Sequence, residues 1–421
     1  MAASSRLDTT GFASFGPGQL RAGREGDALD GIIPQAVITA REVDHVRAAI
    51  DQARSQRMGI VIAGGATELS IGNAPQAYDI RLGLTGIAEI LERNPDDMTV
   101  TAQAGVTLAR LGRNLEPLGQ RLAIDVADPD RATIGGVVAA DTSGGLAYGY
   151  GRPRDLVLGM SVVDGRSRAY ACGAKVVKNV AGYDLPRLFT GSRGTLAVIT
   201  EVTLRTHPIP PFAATAFFEM ENGQAADKLR AALFDAALPL AALDLAVEVG
   251  ARGPSYTIVI RAEGTETEVA AMIDGVVGLA GVDPSGIVDD WLSPADAGGD
   301  AAVVIRLGLP PSKLLAGIAE LTSLASSAGV RASGGAHLAA GVLRLGIAPD
   351  QADFGRRFLD GARTIALRGR GTAVLERGSA SLKAAGDVFG PAPASVALMR
   401  ELKTRFDPDG VLGRGRGVGG L

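Results

Sequence analysis

Asp128-Pro129-Asp130-Arg131-Ala132-Thr133-Ile134-Gly135-Gly136-Val137-Val138-Ala139-Ala140-Asp141-Thr142-Ser143-Gly144-Gly145, running on to Tyr150-Gly151, is the stretch on which the fold turns. It holds more small residues than a helix or a strand ordinarily uses. A flexible loop would waste Ile134, Val137, Val138 and Ala139. A buried backbone wall against a large flat ligand accounts for both features. Upstream lies Ala63-Gly64-Gly65-Ala66-Thr67-Glu68-Leu69, at the end of the apolar run 59–63. That run reads as a buried strand emptying into small residues. Successive backbone N–H groups can there converge on one anion such as a pyrophosphate, and only small residues permit the approach. Taken alone, this segment reads equally well as a plain strand–turn. A third small-residue region holds Lys178-Asn179-Val180-Ala181-Gly182-Tyr183-Asp184-Leu185, Leu188, and Gly191-Ser192-Arg193-Gly194-Thr195-Leu196-Ala197-Val198-Ile199-Thr200-Glu201.

The rest of the chain limits what such a wall could serve. At 421 residues it is too long for one ordinary core, so two or three packed units are expected. Its 57 glycines have no collagen-like period and read as tight turns and close backbone approaches. A net charge of -4 argues against a nucleic-acid binder that relies on counterion release. Cys172 is the only cysteine, so neither an internal disulfide nor a four-cysteine cluster can be built. That fits a reducing, cytoplasmic setting. No apolar stretch of transmembrane length occurs, about 18 residues or more. Residues 1–29 read as a mobile or loosely docked leader, small, polar and Gly-rich at its start.

Residues 33–37 read as a strand. Thr39 is placed to cap a helix over 40–57, with Glu42 completing a capping box and Val43, Val46, Ala49, Ile50 and Ala53 as its apolar stripe. Strands are expected at 79–82 and 98–102, and a second helix at 107–118, ended by Gly119. Residues 157–163 and 167–172 form a hairpin turning at Asp164-Gly165. A short helix at 185–189 precedes a strand at 195–205. His207-Pro208-Ile209-Pro210-Pro211 marks a domain boundary. Beyond it, strands at 214–219, 241–249, 256–262, 302–307 and 341–347 interleave with helices at 223–234, 266–279, 310–328 and 352–369, which suggests an α+β sandwich. Residues 395–406 read as an amphipathic helix with Val396, Met399, Leu402 and Phe406 on one face. Asp407-Pro408-Asp409-Gly410 ends it.

In this order and spacing the three small-residue segments resemble the vanillyl-alcohol-oxidase, or PCMH, type of FAD-binding domain. Tyr150-Gly151, followed after three residues by Asp155-Leu156-Val157-Leu158-Gly159, is part of that resemblance. The end of the chain, from Leu398 through Asp407-Pro408-Asp409-Gly410-Val411-Leu412, is similar to the closing helix and turn of the glycolate oxidase and D-lactate dehydrogenase branch. The resemblance implies an α+β fold: a two-subdomain PCMH-type FAD-binding domain at 30–211, an α+β cap or substrate domain at 212–375, and a segment at 376–421 returning to the FAD domain. It implies that Gly64, Gly65, Ala66, Thr67 and Leu69 hold the FAD pyrophosphate. Asp128, Thr133, Ile134, Gly135, Gly136, Ser143, Gly144 and Gly151 would line the flavin and its ribityl chain, and Gly194 and Ile199 would contact the cofactor through their main chain. Many relatives attach FAD through a His of the first segment. This segment has none, and Cys172 lies outside the usual attachment positions, so the FAD is expected to be non-covalent.

The larger, catalytic branch carries His-x-Gly-Asp-Gly-Asn-x-His at a metal site. Here the corresponding stretch is His337-Leu338-Ala339-Ala340-Gly341-Val342-Leu343-Arg344, so no metal is expected. This erosion points to the smaller flavin subunit of a glycolate-oxidase-like complex. Its implied partners are a larger FAD-binding subunit, an iron–sulfur subunit and a small 2-hydroxy acid, with no nucleic acid. Its place would be cytoplasmic or, through partners, peripheral on the inner face of the membrane. A self-sufficient FAD oxidase or dehydrogenase of another hydroxy acid or alcohol, and a non-catalytic FAD-binding or scaffold subunit, stay open beside it. No general base is identified. Arg344 is the one candidate for a catalytic contact, as a guanidinium that could hold a substrate carboxylate, although a structural Arg is the plainer reading. His45 reads as a surface residue, His207 as structural, Trp291 as core, and Lys175 and Lys178 as solvated.

Overall fold

A computed structural model describes residues 15–175, 182–291 and 301–421. Lys178, Asn179, Val180 and Ala181 of the third segment lie outside them. The first sheet contains β1 (Leu20–Ala22), β2 (Ala36–Thr39), β3 (Ile60–Ala63) and β4 (Ile80–Gly83), in the order β1-β2-β4-β3. β2 and β3 both run parallel to β4, the arrangement that a crossover helix permits. That helix is Val43–Gln56, and Val46, Ala49, Ile50 and Ala53 form its buried stripe. Thr39 does not cap it. Thr39 is still in β2, paired with Gly83, and Glu42 occupies the cap position without a side-chain bond.

The described part of the expected leader is docked rather than loose. β1 pairs with β2, and the buried carboxylate of Asp27 takes hydrogen bonds from Arg21 and Arg81 at 2.8 and 3.2 Å. His45, expected at the surface, is half-buried against Phe15 and Gln19.

Next come β5 (Ile90–Asn94), β6 (Thr99–Gln103), β7 (Gln120–Arg121), β8 (Val157–Asp164), β9 (Ala169–Gly173), β10 (Ala197–Arg205) and β11 (His207–Pro208). Five of them form an antiparallel sheet in the order β5-β6-β10-β8-β9, and β11 pairs with β7. Asp164 makes the expected hairpin turn by accepting the amides of Arg166 and Arg168 at 2.9 and 3.1 Å. One element was not expected. Residues Ile134–Ala140, read as an irregular wall, form a helix capped by the Thr133 hydroxyl. Burial of Ile134, Val137 and Val138 outweighs the poor helix propensity of the paired glycines.

The cap is one sheet of eight strands: β12 (Phe212–Met220), β13 (Ala242–Gly250), β14 (Gly253–Gly264), β15 (Gly286–Val288), β16 (Val303–Gly308), β17 (Ala332–His337), β18 (Val342–Ile347) and β19 (Thr372–Arg377). Their order is β15-β12-β14-β13-β17-β18-β16-β19. Alternate residues such as Leu243, Leu245, Ile258, Ile260, Ile305 and Leu307 pack with helices Gly223–Ala236, Glu266–Ala280, Pro311–Ser327 and Gly355–Gly369 in one core. The opposite parity carries polar groups. Register places Arg261, Glu263, Asp244, His337, Arg344 and Arg306 on that helix-free face, which turns toward the first unit. Glu263, for example, takes a hydrogen bond from Tyr150 at 2.6 Å. β15, β17 and β19 were not expected, and position 375, the anticipated end of the cap, falls inside β19.

The tail returns to the first core. Helix Val396–Phe406 ends where Asp407 accepts the amides of Val411 and Leu412. Leu412 bridges in parallel to Ile60, and Phe406 sits edge-on to buried Phe189 at 5.1 Å. No residue of this helix is buried, so its expected apolar face is only partly used.

Candidate functional site

A cleft of about 420 Å3 opens between the loop after β3, the 126–142 segment and the start of β10, with Arg377 and Arg416 at its margin. Eleven of the anticipated residues line it: Gly64, Gly65, Ala66, Thr67, Leu69, Asp128, Thr133, Gly135, Gly136, Gly194 and Ile199. Four do not. Ile134 is fully buried in the core. Ser143 and Gly144 continue past the cleft, and a Cβ on Gly144 would fall on the Asp125 carboxylate. Gly151, at φ 88°, packs against Asp155. The helix over Ile134–Ala140 causes this split. It turns its polar start and one flank to the cleft, and the chain leaves the cleft after Thr142.

The loop after β3 has the geometry of an anion nest. Among the described residues, the amides of Gly64, Gly65, Ala66, Thr67 and Glu68 donate to no carbonyl or side chain. Ala66 adopts φ 60°, a left-handed conformation uncommon outside glycine that reorients successive N–H groups. The glycines serve a different contact from the one anticipated. A Cβ on Gly65 would land on the Arg131 carbonyl, and one on Gly64 on the Thr133 hydroxyl. They allow the loop to press against the 131–133 segment.

The charges of the lining are unequal. Arg131, Arg193, Arg377 and Arg416 stand against Glu68 and Asp128. Burial lowers the pKa of Arg193, and brings that of Arg416 down to about 10. Among the described residues no His, Cys or Tyr lines the cleft, so these offer no side chain of the kind that links a flavin covalently. Burial holds the Cys172 thiol protonated, with its pKa pushed up to about 11.

A second cluster lies at the seam with the cap. His337 Nδ1 meets the buried Asp244 carboxylate at 2.9 Å. Trp291 Nε1 donates to Asp125 at 2.8 Å. Gly145 leaves room for both Trp291 and Asp244. Asp125 Oδ1 and His337 Nε2 are buried without a hydrogen-bond partner. Burial raises the pKa of Asp125, and Asp244 adds to the rise. Burial lowers that of His337, but the charge and hydrogen bond of Asp244 outweigh it and the net shift is upward. Among the described residues no group of three His, Cys, Asp or Glu side chains is arranged to hold a metal. Arg344 lies 3.0 Å from Glu376 and 3.8 Å from Glu68. It therefore stands at the junction of cap and cleft within a network of carboxylates.

Reading the sequence missed Arg193, Arg416, Asp125 and Asp244, and took Trp291 for core. Arg193 carried a signal, as a long cation within Gly191-Ser192-Arg193-Gly194. The other three meet their partners only through tertiary contact.

Residues 34–173 match the family described as "FAD binding domain", so the chain carries such a domain. The "Glycolate oxidase subunit GlcD" of Bacillus subtilis strain 168 is 34% identical over 46% of this chain and 41% of its own length. The "Glycolate oxidase subunit GlcE" of Escherichia coli strain K12 is 34% identical over 40% of this chain and 49% of its own length. The chain thus spans less than half the length of these curated relatives. The solved structure of an alkyldihydroxyacetonephosphate synthase superposes with a TM-score of 0.69 at 15% identity, covering 95% of this chain and 83% of that one. That likeness extends over both units and shows the fold: an FAD-binding domain of the PCMH type with an α+β cap.

Proposed function

We propose that this protein is an FAD-dependent oxidoreductase subunit that takes part in oxidising a small 2-hydroxy acid to a 2-oxo acid, within a glycolate-oxidase-like complex. The observation that carries this reading is the row of five amides without partners among the described residues at Gly64–Glu68, on a loop of the matched FAD-binding domain that lines a positively charged cleft. Backbone donors of this kind suit a pyrophosphate, because they cannot be neutralised by proton loss and need no reorganisation.

In this reading Gly64, Gly65, Ala66, Thr67 and Leu69 cradle the diphosphate. Asp128, Thr133, Gly135, Gly136, Gly194 and Ile199 line the remainder of the cofactor. Bound FAD supplies the acceptor for the hydride that leaves the substrate carbon. The chain itself supplies position and exclusion of water, since the polar face of the cap sheet reaches the nest loop through Arg344–Glu68. The likeness to two glycolate oxidase subunits supports a complex with a larger FAD-binding subunit and an iron–sulfur subunit. No helix among the described residues is long and apolar enough to cross a membrane; a cytoplasmic place, or a peripheral one through partners, is part of the proposal.

Purification of the chain alone tests it. The reading expects a yellow protein that is not bleached anaerobically by glycolate or D-lactate until its partners are added. Bleaching by either acid without partners replaces it with a self-sufficient dehydrogenase. A folded, colourless protein that takes up no FAD leaves only a scaffold role and ends the flavin assignment.

A further inference from the structure

The cleft lining carries four arginines and two carboxylates, and one of those cations stands apart. Arg131 is paired with Asp128 at 3.3 Å. Arg377 lies at the rim and donates to the Ala301 carbonyl. Arg416 gives Nη2 to the carbonyls of Leu69 and Ile71 at 2.6 and 2.9 Å, directly behind the nest, while its Nη1 is buried without a hydrogen-bond partner. Arg193 donates from its guanidinium to no described group. Its nearest carboxylate, Glu68, is 4.0 Å away, and Glu68 belongs to the nest loop itself. A quarter of the Arg193 side chain is exposed, and it lines the cleft.

A cation in this position is costly in the free protein. A buried charge without a partner loses hydration and gains nothing in exchange. The lowered pKa of Arg193 and Arg416 has that origin, with desolvation as its main cause. Other arginines nearby make it worse: Arg306 and Arg344 both disfavour the charged form of Arg193. An anion in the cleft would offset that cost. The formal excess in the lining is two positive charges, and a diphosphate diester carries two negative ones. Both cations touch the loop after β3, whose Gly64–Glu68 amides donate to no described group.

We infer that Arg193 and Arg416 are anion-binding residues of this chain, which neutralise the diphosphate of the bound dinucleotide together with the nest amides. The inference rests on the flavin reading and adds to it. Backbone amides alone would bind the diphosphate without balancing its charge. The two guanidiniums complete the balance, Arg193 from the turn before β10 and Arg416 from the tail. Arg416 also ties the C-terminal segment to the nest, so the tail becomes part of the cofactor site rather than only a packing element.

Arg193→Gln in the full-length chain, stripped of flavin, tests this by titration with FAD and with riboflavin, which has no phosphate. FAD affinity should fall by about 10- to 100-fold, as expected for loss of a charge-assisted contact to phosphate. Riboflavin affinity should stay within about twofold, because Arg193 is assigned to no other part of the ligand. The flavin-free variant should melt no lower than the native protein, since it has lost an uncompensated buried charge. Arg416→Gln should show the same preference for losing FAD over riboflavin. Unchanged FAD affinity in Arg193→Gln overturns the inference while leaving the flavin reading intact. Equal losses for FAD and riboflavin also overturn it, since they would mean a general effect on the cleft. A native protein that binds neither ligand fails at the flavin reading itself.

Discussion

The cleft and the seam adjoin along the chain, at Asp125–Val126 and again between Thr142 and Gly145, yet they are built on opposite principles. In the cleft the donors are backbone amides, and the charge excess is positive. At the seam most polar atoms belong to side chains from both units, Asp125 on one side and Asp244, His337 and Trp291 on the other. Backbone amides cannot be substituted away, so a nest tolerates sequence change while small residues keep its shape. A side-chain cluster depends on each residue. The contrast separates a cleft shaped by backbone from a seam whose His337–Asp244 pair depends on both side chains.

The largest effect should come from closing the nest. Gly65→Val places a branched side chain against the Arg131 carbonyl. It should cost about 1–3 kcal/mol of stability through overpacking and abolish flavin retention, read as the loss of visible flavin absorbance from folded protein. Unchanged flavin content would mean that the loop does not hold the cofactor, and the comparison would collapse.

At the seam, Asp244→Ala leaves His337 buried beside an empty site. Loss of one partner of a buried charged pair costs about 3–5 kcal/mol, measurable by denaturant unfolding. A cost near zero would show that the seam is wet and held by neither residue.

A pH series sharpens the same point. The pKa of His337 is raised on folding, net of a burial effect that opposes Asp244. Its contribution is then fully present below the unfolded value, near 6.5, and is lost as pH rises through the folded value. The native protein should lose stability as pH climbs above that unfolded value, and His337→Gln should flatten that part of the curve. An identical slope in the variant would assign the effect to another group.

The smallest effects concern the sulfur and the flavin linkage. With its pKa near 11, Cys172 is almost entirely thiol at neutral pH, so alkylation by iodoacetamide should be much slower than that of free cysteine. Acid precipitation should leave the flavin in the supernatant. Flavin in the pellet would reveal a covalent bond and contradict the lining described above.

Much of this architecture was legible in one dimension. Strands such as Ile60–Ala63, Ala197–Arg205 and Phe212–Met220 were visible because each is a sustained apolar or alternating run bounded by turn residues. The hairpin at Asp164 and the stop at Gly410 follow from local turn chemistry. The helix Ile134–Ala140 was hidden because its glycines argue against a helix, and only burial against the core makes it stable. β17, reading Ala-Ser-Gly-Gly-Ala-His, was hidden because its partners β13 and β18 supply what its composition lacks.

The sequence by itself determined the order of the small-residue segments, the strand that delivers the nest and the absence of a His in it. Those are local properties, set by a few adjacent residues and by steric limits on the backbone. Tertiary structure alone decided that the wall ends at Thr142, that Arg193 and Arg416, more than two hundred residues apart, line one cleft, and that His337 pairs with Asp244. These depend on which faces of distant elements are brought together, and long-range charge contacts leave no periodic trace in the chain.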